Sequence, residues 1–355
     1  MGVGGGAAVQ AFFIVSGFYM ALILNGRYAV EGGTARFYKA RLARIFGLYW
    51  PVLAIYSLAA IVLLVVSDRG PLTSIFQPGM PNIASIAILS VNLFLVGLDG
   101  LLFFTFDGTG IAFSATHADI DPGLFRGMIV QPAWSLSMEL VFYAVAPWLC
   151  RQRVPILLAL LATSLALRVW GASAGLVSDP WSHRFLPFEF AHFLLGICAW
   201  HIYERRAQVD VRVLDWVLIA FLAIAFFLYR YGISLRSWDA YFDPMRLAFL
   251  AIVTISLPSL FAASRSISWD RKIGELSYPI YLLHMLFVSI VLRLPGLSDK
   301  PDLSSGVVIG GTIVGAIIVE RVIGSAVERW RARIKCRDSE FFLPQSSSRE
   351  APKRG

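Results

Sequence analysis

Long apolar runs recur from one end of this chain to the other, and nothing else in it constrains the fold as strongly. They lie near residues 6–25, 44–66, 82–105, 133–150, 154–171, 185–203, 211–231, 245–263, 277–293 and 305–327. Most reach the roughly 17–25 residues that a helix needs to cross a bilayer. In hydrocarbon every backbone N–H and C=O has to be bonded within the protein, so such runs fold as helices packed side by side. Composition agrees: 57% of the 355 residues are hydrophobic and 15% are charged, against roughly 25% charged in soluble domains. The expected fold is all-α, a polytopic transmembrane helix bundle over residues 1–337. The polar stretch "DSEFFLPQSSSREAPKRG", residues 338–355, is expected to be a disordered tail.

The net charge of +8 is not pooled on one domain, as a nucleic-acid surface would require. Basic residues sit in short loops: Arg36 to Arg44, Arg151 and Arg153, Arg205 to Arg212, Arg265 to Lys272, and Arg329 to Arg337. Lys and Arg orient membrane helices by staying in the cytoplasm. If all these loops are cytoplasmic, an even number of crossings separates each from the next. From Arg151 onward that holds. Between Arg44 and Arg151 there are three runs, and the run 82–105 is the irregular one, with Pro81, Asn82, Asn92, Gly97, Asp99 and Gly100. It is expected to be re-entrant or interfacial, since non-helical backbone at membrane depth is tolerated where protein or water covers it. About nine true spans remain, with a cytoplasmic C-terminus. Cys150, Cys198 and Cys336 have no metal-ligand spacing and read as free thiols.

Four constellations could carry chemistry. In "WSLSMELVFY", a helix from Trp134 puts Ser135, Glu139 and Phe142 roughly on one face, with Tyr143 one turn beyond Glu139. A carboxylate among apolar residues can be a general base, an orienter of a base, a partner for a buried arginine, or simply a structural hydrogen-bond acceptor. His284, in "GELSYPIYLLHMLF", falls in mid-run, either as a proton carrier or as a satisfied core residue. His192 has the same status, with Glu189 three residues before it, while His117, His183 and His201 lie in loops or at a helix end. Arg41 and Arg44, in "FYKARLARIFGLYWP", share a helix face; paired guanidinium forks suit phosphates, although any cytoplasmic loop needs cations. In "AFFIVSGFYM", Ser16 and Gly17 permit close helix approach.

In order along the chain, "FFIVSGFYM", "FYKARLARIFGLYWP", "WSLSMELVFYAVAPW", "LPFEFAHFLLG" and "LSYPIYLLHML" resemble the integral-membrane acyltransferase family 3. Members are O-acyltransferases that modify bacterial surface sugars. The resemblance implies transfer of an acyl group, commonly acetyl, from acyl-CoA on the cytoplasmic side. The acceptor would be a hydroxyl of a carbohydrate or lipid-linked glycan precursor. Arg41 and Arg44 would grip the CoA phosphates, Glu139 and Tyr143 would match the family's acidic block, and Ser16 with Gly17 its Ser-Gly-Phe block. His284 would match its late histidine. Acyl-CoA is then a co-substrate, with no bound cofactor or metal required, no nucleic-acid partner, and the bacterial inner membrane as location.

The family pattern also opens with a helix carrying an Arg and, some turns later, a His taken as the base. Here "MGVGGGAAVQAFF" reads as the end of the loop after such a helix, so that helix is expected to be missing. One added crossing would return the N-terminus to the cytoplasm, in agreement with the loop charges. The competing expectations are a truncated, non-catalytic relative and a transporter or flippase of lipid-linked sugar. Transporters often show two related halves, and no such internal symmetry is visible.

Overall fold

A computed structural model describes residues 5–67, 69–108, 110–115, 123–206, 212–231, 244–265, 267–294 and 300–327, with the single residues 296 and 329. The tail expected over 338–355, His117 and Cys336 lie outside the described residues. Eleven α-helices carry the described chain. They are α1 (Gly5–Asn25), α2 (Gly33–Ser67), α3 (Pro71–Ile75), α4 (Asn82–Phe94), α5 (Trp134–Leu149) and α6 (Val154–Ser173). After these come α7 (Leu186–Arg206), α8 (Arg212–Tyr231), α9 (Pro244–Ser264), α10 (Ser268–Val291) and α11 (Pro301–Val319). The all-α expectation holds, apart from one small antiparallel hairpin of β1 (Phe104–Phe106) and β2 (Ile111–Phe113), in which Phe104 faces Phe113.

Six helices among the described residues are long and apolar enough to cross a membrane: α1, α2, α6, α9, α10 and α11. α5 is shorter, at 16 residues, and α7 carries Glu189 in its first turn with Arg205 and Arg206 in its last. The 35 residues of α2 extend about 52 Å at 1.5 Å per residue, well beyond a hydrocarbon core of roughly 30 Å. Its N-terminal third holds Arg36, Lys39, Arg41 and Arg44. The length of the helix therefore lets these cations stand at the end of an otherwise apolar rod.

The run 82–105 does not form one continuous span. α4 has 13 residues, about 20 Å of helix, too short for the hydrocarbon. It ends at Leu95, whose φ is 65°, followed by Gly97 at 82°. The left-handed backbone at a buried Leu is held by its contacts, and Gly97 takes the same region without a Cβ penalty. Asn92 then ties the segment down. Its side-chain amide donates to Ile88 O (2.8 Å) and Gly127 O (3.0 Å), and its carbonyl accepts from Ile129 N (2.8 Å). Ser137 of α5 donates to Asp99 (2.6 Å) and accepts from Gly97 N (3.0 Å). This excursion is thus clamped onto the first half of α5.

α1 packs most extensively on α7, and two glycines make that possible. A Cβ on Gly17 would collide with the carbonyl of Phe193, and one on Gly196 with the carbonyl of Ile14. Backbone meets backbone there, the close approach that small residues allow within membranes. Phe13 stacks on Phe193 at 4.5 Å, and Phe193 on Phe142 of α5 at 4.2 Å. The α1–α7 pair therefore sets the depth and rotation of α1, and with it Ser16. Gly196→Val should force the two helices apart, at about 1–3 kcal/mol of overpacking strain. Gly310→Val, where nothing lies within 4 Å, should be tolerated. Melting temperatures of the two variants in detergent, with wild type alongside, measure the difference.

Candidate active site

Ser16, Glu139 and Tyr143 come together in the middle of the bundle. Ser16 Oγ of α1 donates to Glu139 Oε1 at 3.0 Å, and Tyr143 OH, one turn farther along α5, donates to the same oxygen. Glu139 is 5% exposed, and Oε2 makes no hydrogen bond among the described residues. The carboxylate is thus held on one oxygen by two neutral donors and left open on the other.

Arg41 and Arg44 belong to the same assembly. The guanidinium carbon of Arg41 lies 5.9 Å from the ring centre of Phe37 and 6.0 Å from that of Tyr143. Both arginines are within electrostatic reach of Glu139. Arg41 Nε is sealed without a hydrogen-bond partner, and neither arginine is ion-paired among the described residues. Their basic neighbours are used differently: Arg36 donates to Glu31 O (2.9 Å), and Arg151 to Thr34 and Tyr28 O. Two half-buried guanidinium groups with open forks are suited to a phosphate-bearing ligand.

The histidines part company. His284 Nδ1 is 2.7 Å from Tyr281 O. A carbonyl only accepts, so Nδ1 carries the proton, and in the neutral ring the lone pair sits on Nε2. Among the described residues nothing joins His284 to Glu139 directly. Between them stands Tyr281, whose OH donates to Pro132 O and meets Ser135 Oγ, each at 2.6 Å. Ser135 is one turn before Glu139 on α5. His284 therefore sits a helical turn beyond Tyr281, away from the carboxylate. Phe12 of α1 stacks on the Tyr281 ring, 6.4 Å between centres. Tyr281 is a site residue that the sequence reading missed; its position one turn before His284 was the available signal.

Glu189 and His192 belong to a second cluster. Glu189 is sealed, with Oε1 accepting from Gln10 (2.9 Å) and from Arg168. His192 Nδ1 lies 3.1 Å from Oε2, close enough to pair but off the hydrogen-bonding angle. Arg246 of α9 donates to Gln10 Oε1 at 2.8 Å. Gln10 and Arg168 were not singled out from the sequence, although a lone ionisable residue inside an apolar run such as 154–171 is a signal in itself. In the loop before α7, burial pushes the His183 imidazole down to about 4. The ring is therefore neutral near pH 7, and it meets Ser182 Oγ (2.8 Å) and accepts from Arg184 Nε (3.2 Å).

A family model described as an acyltransferase domain, that of acyltransferase family 3, matches residues 2–321. The chain belongs to that family. Neither a curated protein nor a solved structure matches it. Five sequence blocks scattered over the chain thus fall within one family match, and three of them meet at Glu139. Membership makes the chain a membrane acyltransferase by family, with apolar helices to match.

The second cluster reads as scaffold of this acyltransferase. Arg168→Met should strip buried Glu189 of its ion-pair partner, costing about 3–5 kcal/mol. Adding Glu189→Leu should restore much of that loss, because the pair of charges leaves together. Unfolding of purified protein in mixed micelles, single against double variant, reads the coupling.

Proposed function

We propose that this chain is an O-acyltransferase that moves an acyl group, acetyl in the first instance, from acyl-CoA to a hydroxyl of a carbohydrate or lipid-linked glycan precursor. The observation that carries the reading is the gathering of Ser16, Glu139 and Tyr143 beside Arg41 and Arg44, from three family blocks on three helices. In this reading the bundle sits in the bacterial inner membrane. It crosses about nine times with the 82–105 segment re-entrant or interfacial, and the C-terminus is cytoplasmic. Acyl-CoA is a co-substrate rather than a resident group.

The chemistry follows from the donors and acceptors present. Arg41 and Arg44 hold the CoA phosphates with their open forks, so the thioester enters from their end of the bundle. The acceptor hydroxyl attacks the thioester carbonyl; the new C–O bond forms as the C–S bond breaks. The hydroxyl proton passes to a base and is returned to the departing thiolate. A positioned base is worth about 10²–10⁴-fold, and holding both reactants in one cavity supplies much of the rest. Glu139 Oε2 and His284 Nε2 are the two lone pairs offered by the site residues. Ser16 and Tyr143 fix the orientation of the first, and the Tyr281 carbonyl fixes the tautomer of the second.

Membranes supplied with radiolabelled acetyl-CoA should transfer label to glycan. Glu139→Gln should lower kcat by about 100-fold or more, with acetyl-CoA affinity little changed. Arg41→Gln should instead raise KM for acetyl-CoA by about tenfold, as expected for a lost charge-assisted bond worth roughly 1.5 kcal/mol. Undiminished transfer by Glu139→Gln would remove that carboxylate from the mechanism.

A further inference from the structure

Arg41 and Arg44 stand on a helix whose ladder is broken close by. Pro51 lies inside α2, and with no N–H it leaves the Gly47 carbonyl without its partner one turn on. Gly47 is also the most permissive backbone in that turn. A missing rung is one of the few causes of bending in a long helix. α2 is therefore two arms joined at residues 47–51, and the arm before the joint carries both arginines. Whatever aims them has to act on that arm.

Hydroxyl groups tie α2 to its neighbours at intervals. All three of its tyrosines donate to a main-chain carbonyl of another helix. Tyr38 reaches Ala144 O of α5 at 2.7 Å, Tyr49 reaches Asn92 O of α4, and Tyr56 reaches Leu282 O of α10 at 2.8 Å. One bond comes back, from Tyr278 OH of α10 to Ile45 O at 3.0 Å. A helical carbonyl has a second lone pair to give, so such a bond adds to the ladder without breaking it.

The bonds divide about the joint. Tyr49, with Trp50 donating to Leu93 O at 3.0 Å, pins the joint itself at the end of α4. Tyr56 holds the arm beyond it. Tyr38 and Tyr278 hold the arm before it, and they bracket the arginines: Tyr38 comes one turn before Arg41, and Ile45 follows Arg44 directly. Tyr278 also stands among the site groups, with Arg44 and Glu139 within electrostatic reach of its hydroxyl. A further contact on this arm, Arg151 to Thr34, is long at 3.4 Å and lies about two turns before Arg41.

We propose that Tyr278 and Tyr38 are positioning residues that fix the rotation of the Arg-bearing arm of α2, so that Arg41 and Arg44 face one ligand together beside Glu139. The need is geometric. Charge-assisted bonds from a guanidinium fork to a phosphate are directional, and a misplacement of about 1 Å can cost about 10²-fold. That the ligand is CoA rests on the transferase reading; the hold on α2 does not.

The test measures CoA binding to the full chain in lipid nanodiscs and acetyl transfer in native membranes. Tyr278→Phe keeps the ring and removes only the hydroxyl. It should raise the Kd for CoA and the KM for acetyl-CoA about fivefold, with kcat within about twofold of wild type. Tyr56→Phe loses the same kind of bond on the far arm and should leave both constants at their wild-type values. In a background lacking both forks, Arg41→Gln with Arg44→Gln, Tyr278→Phe should weaken CoA binding no further, because it acts through those groups. If Tyr278→Phe fails to fold, the half-buried Tyr38 carries the same expectation as Tyr38→Phe. CoA affinity equal in wild type and Tyr278→Phe, while Arg44→Gln weakens it, overturns the proposal, and so does an equal loss in Tyr56→Phe. If Arg41→Gln and Arg44→Gln both bind CoA as wild type does, the donor reading itself fails, and the assignment of the tyrosines falls with it.

Discussion

A carboxylate inside an apolar bundle has to be met by donors before the helices can close around it, and the two buried among the described residues, Glu139 and Glu189, are met in opposite ways. Glu189 receives an arginine, an amide and a nearby imidazole. Its charge is neutralised on the spot, which is how buried ions are reconciled with a low dielectric. Glu139 receives two hydroxyls on a single oxygen, and its cations stand farther off. The first arrangement puts its ion pair and its amide bond into holding helices together. The second leaves a polar group oriented but incompletely satisfied, the condition in which a side chain can still exchange a proton or grip a ligand.

The same partners explain why the helices sit where they do. Gln10 and Ser16 both belong to α1, on either side of the stretch where Phe13 meets Phe193. One reaches Glu189 on α7, the other Glu139 on α5. Gly17 and Gly196 let α1 sink against α7 until both bonds can form. A bulkier interface would lift Ser16 away from Glu139 even with every polar residue kept. Packing and the site are therefore one problem: the glycines decide the distance, and the hydrogen bonds report whether it is right.

Much of the site was legible in the chain because it is carried by short blocks whose residues are local to one helix. Glu139 and Tyr143 are one turn apart, and Arg41 and Arg44 share a face, so periodicity alone groups them. Across helices the reading had less to work with. Gln10 and Glu189 are 179 positions apart, and Arg246 and Gln10 are 236; a lone polar residue in an apolar run says that a partner exists but not which. His284 was grouped with Glu139 through the family blocks, and the structure puts Tyr281 and Ser135 between them. Depth along a helix is set by how α10 docks on α5, and that docking turns on Tyr281 OH reaching Pro132 O. The irregular character of 82–105 was readable from its Asn, Pro and Gly content. Its clamp onto Ser137 was not, since serine in a span has many uses.

α5 is the axis on which these features can be ordered. From its first turn, Trp134 carries Arg184, Ser135 meets Tyr281, Glu139 receives Ser16, and Tyr143 faces Arg41. Ser135, Glu139 and Tyr143 are each one turn apart, so these polar groups follow one another along a largely apolar helix. Tyr143, which Arg41 faces, is one helical turn from Glu139, a rise of about 6 Å, so a ligand anchored by phosphates at Arg41 would extend past the level of the carboxylate. Shortening α5 by a turn would bring the two arginine ends closer and leave no level for the carboxylate. Lengthening it would separate Ser16 from Glu139, since α1 is already fixed on α7. With 16 residues, a helix too short to count as an ordinary span is long enough to space these groups, and Ser137 near its start holds Gly97 and Asp99 against it.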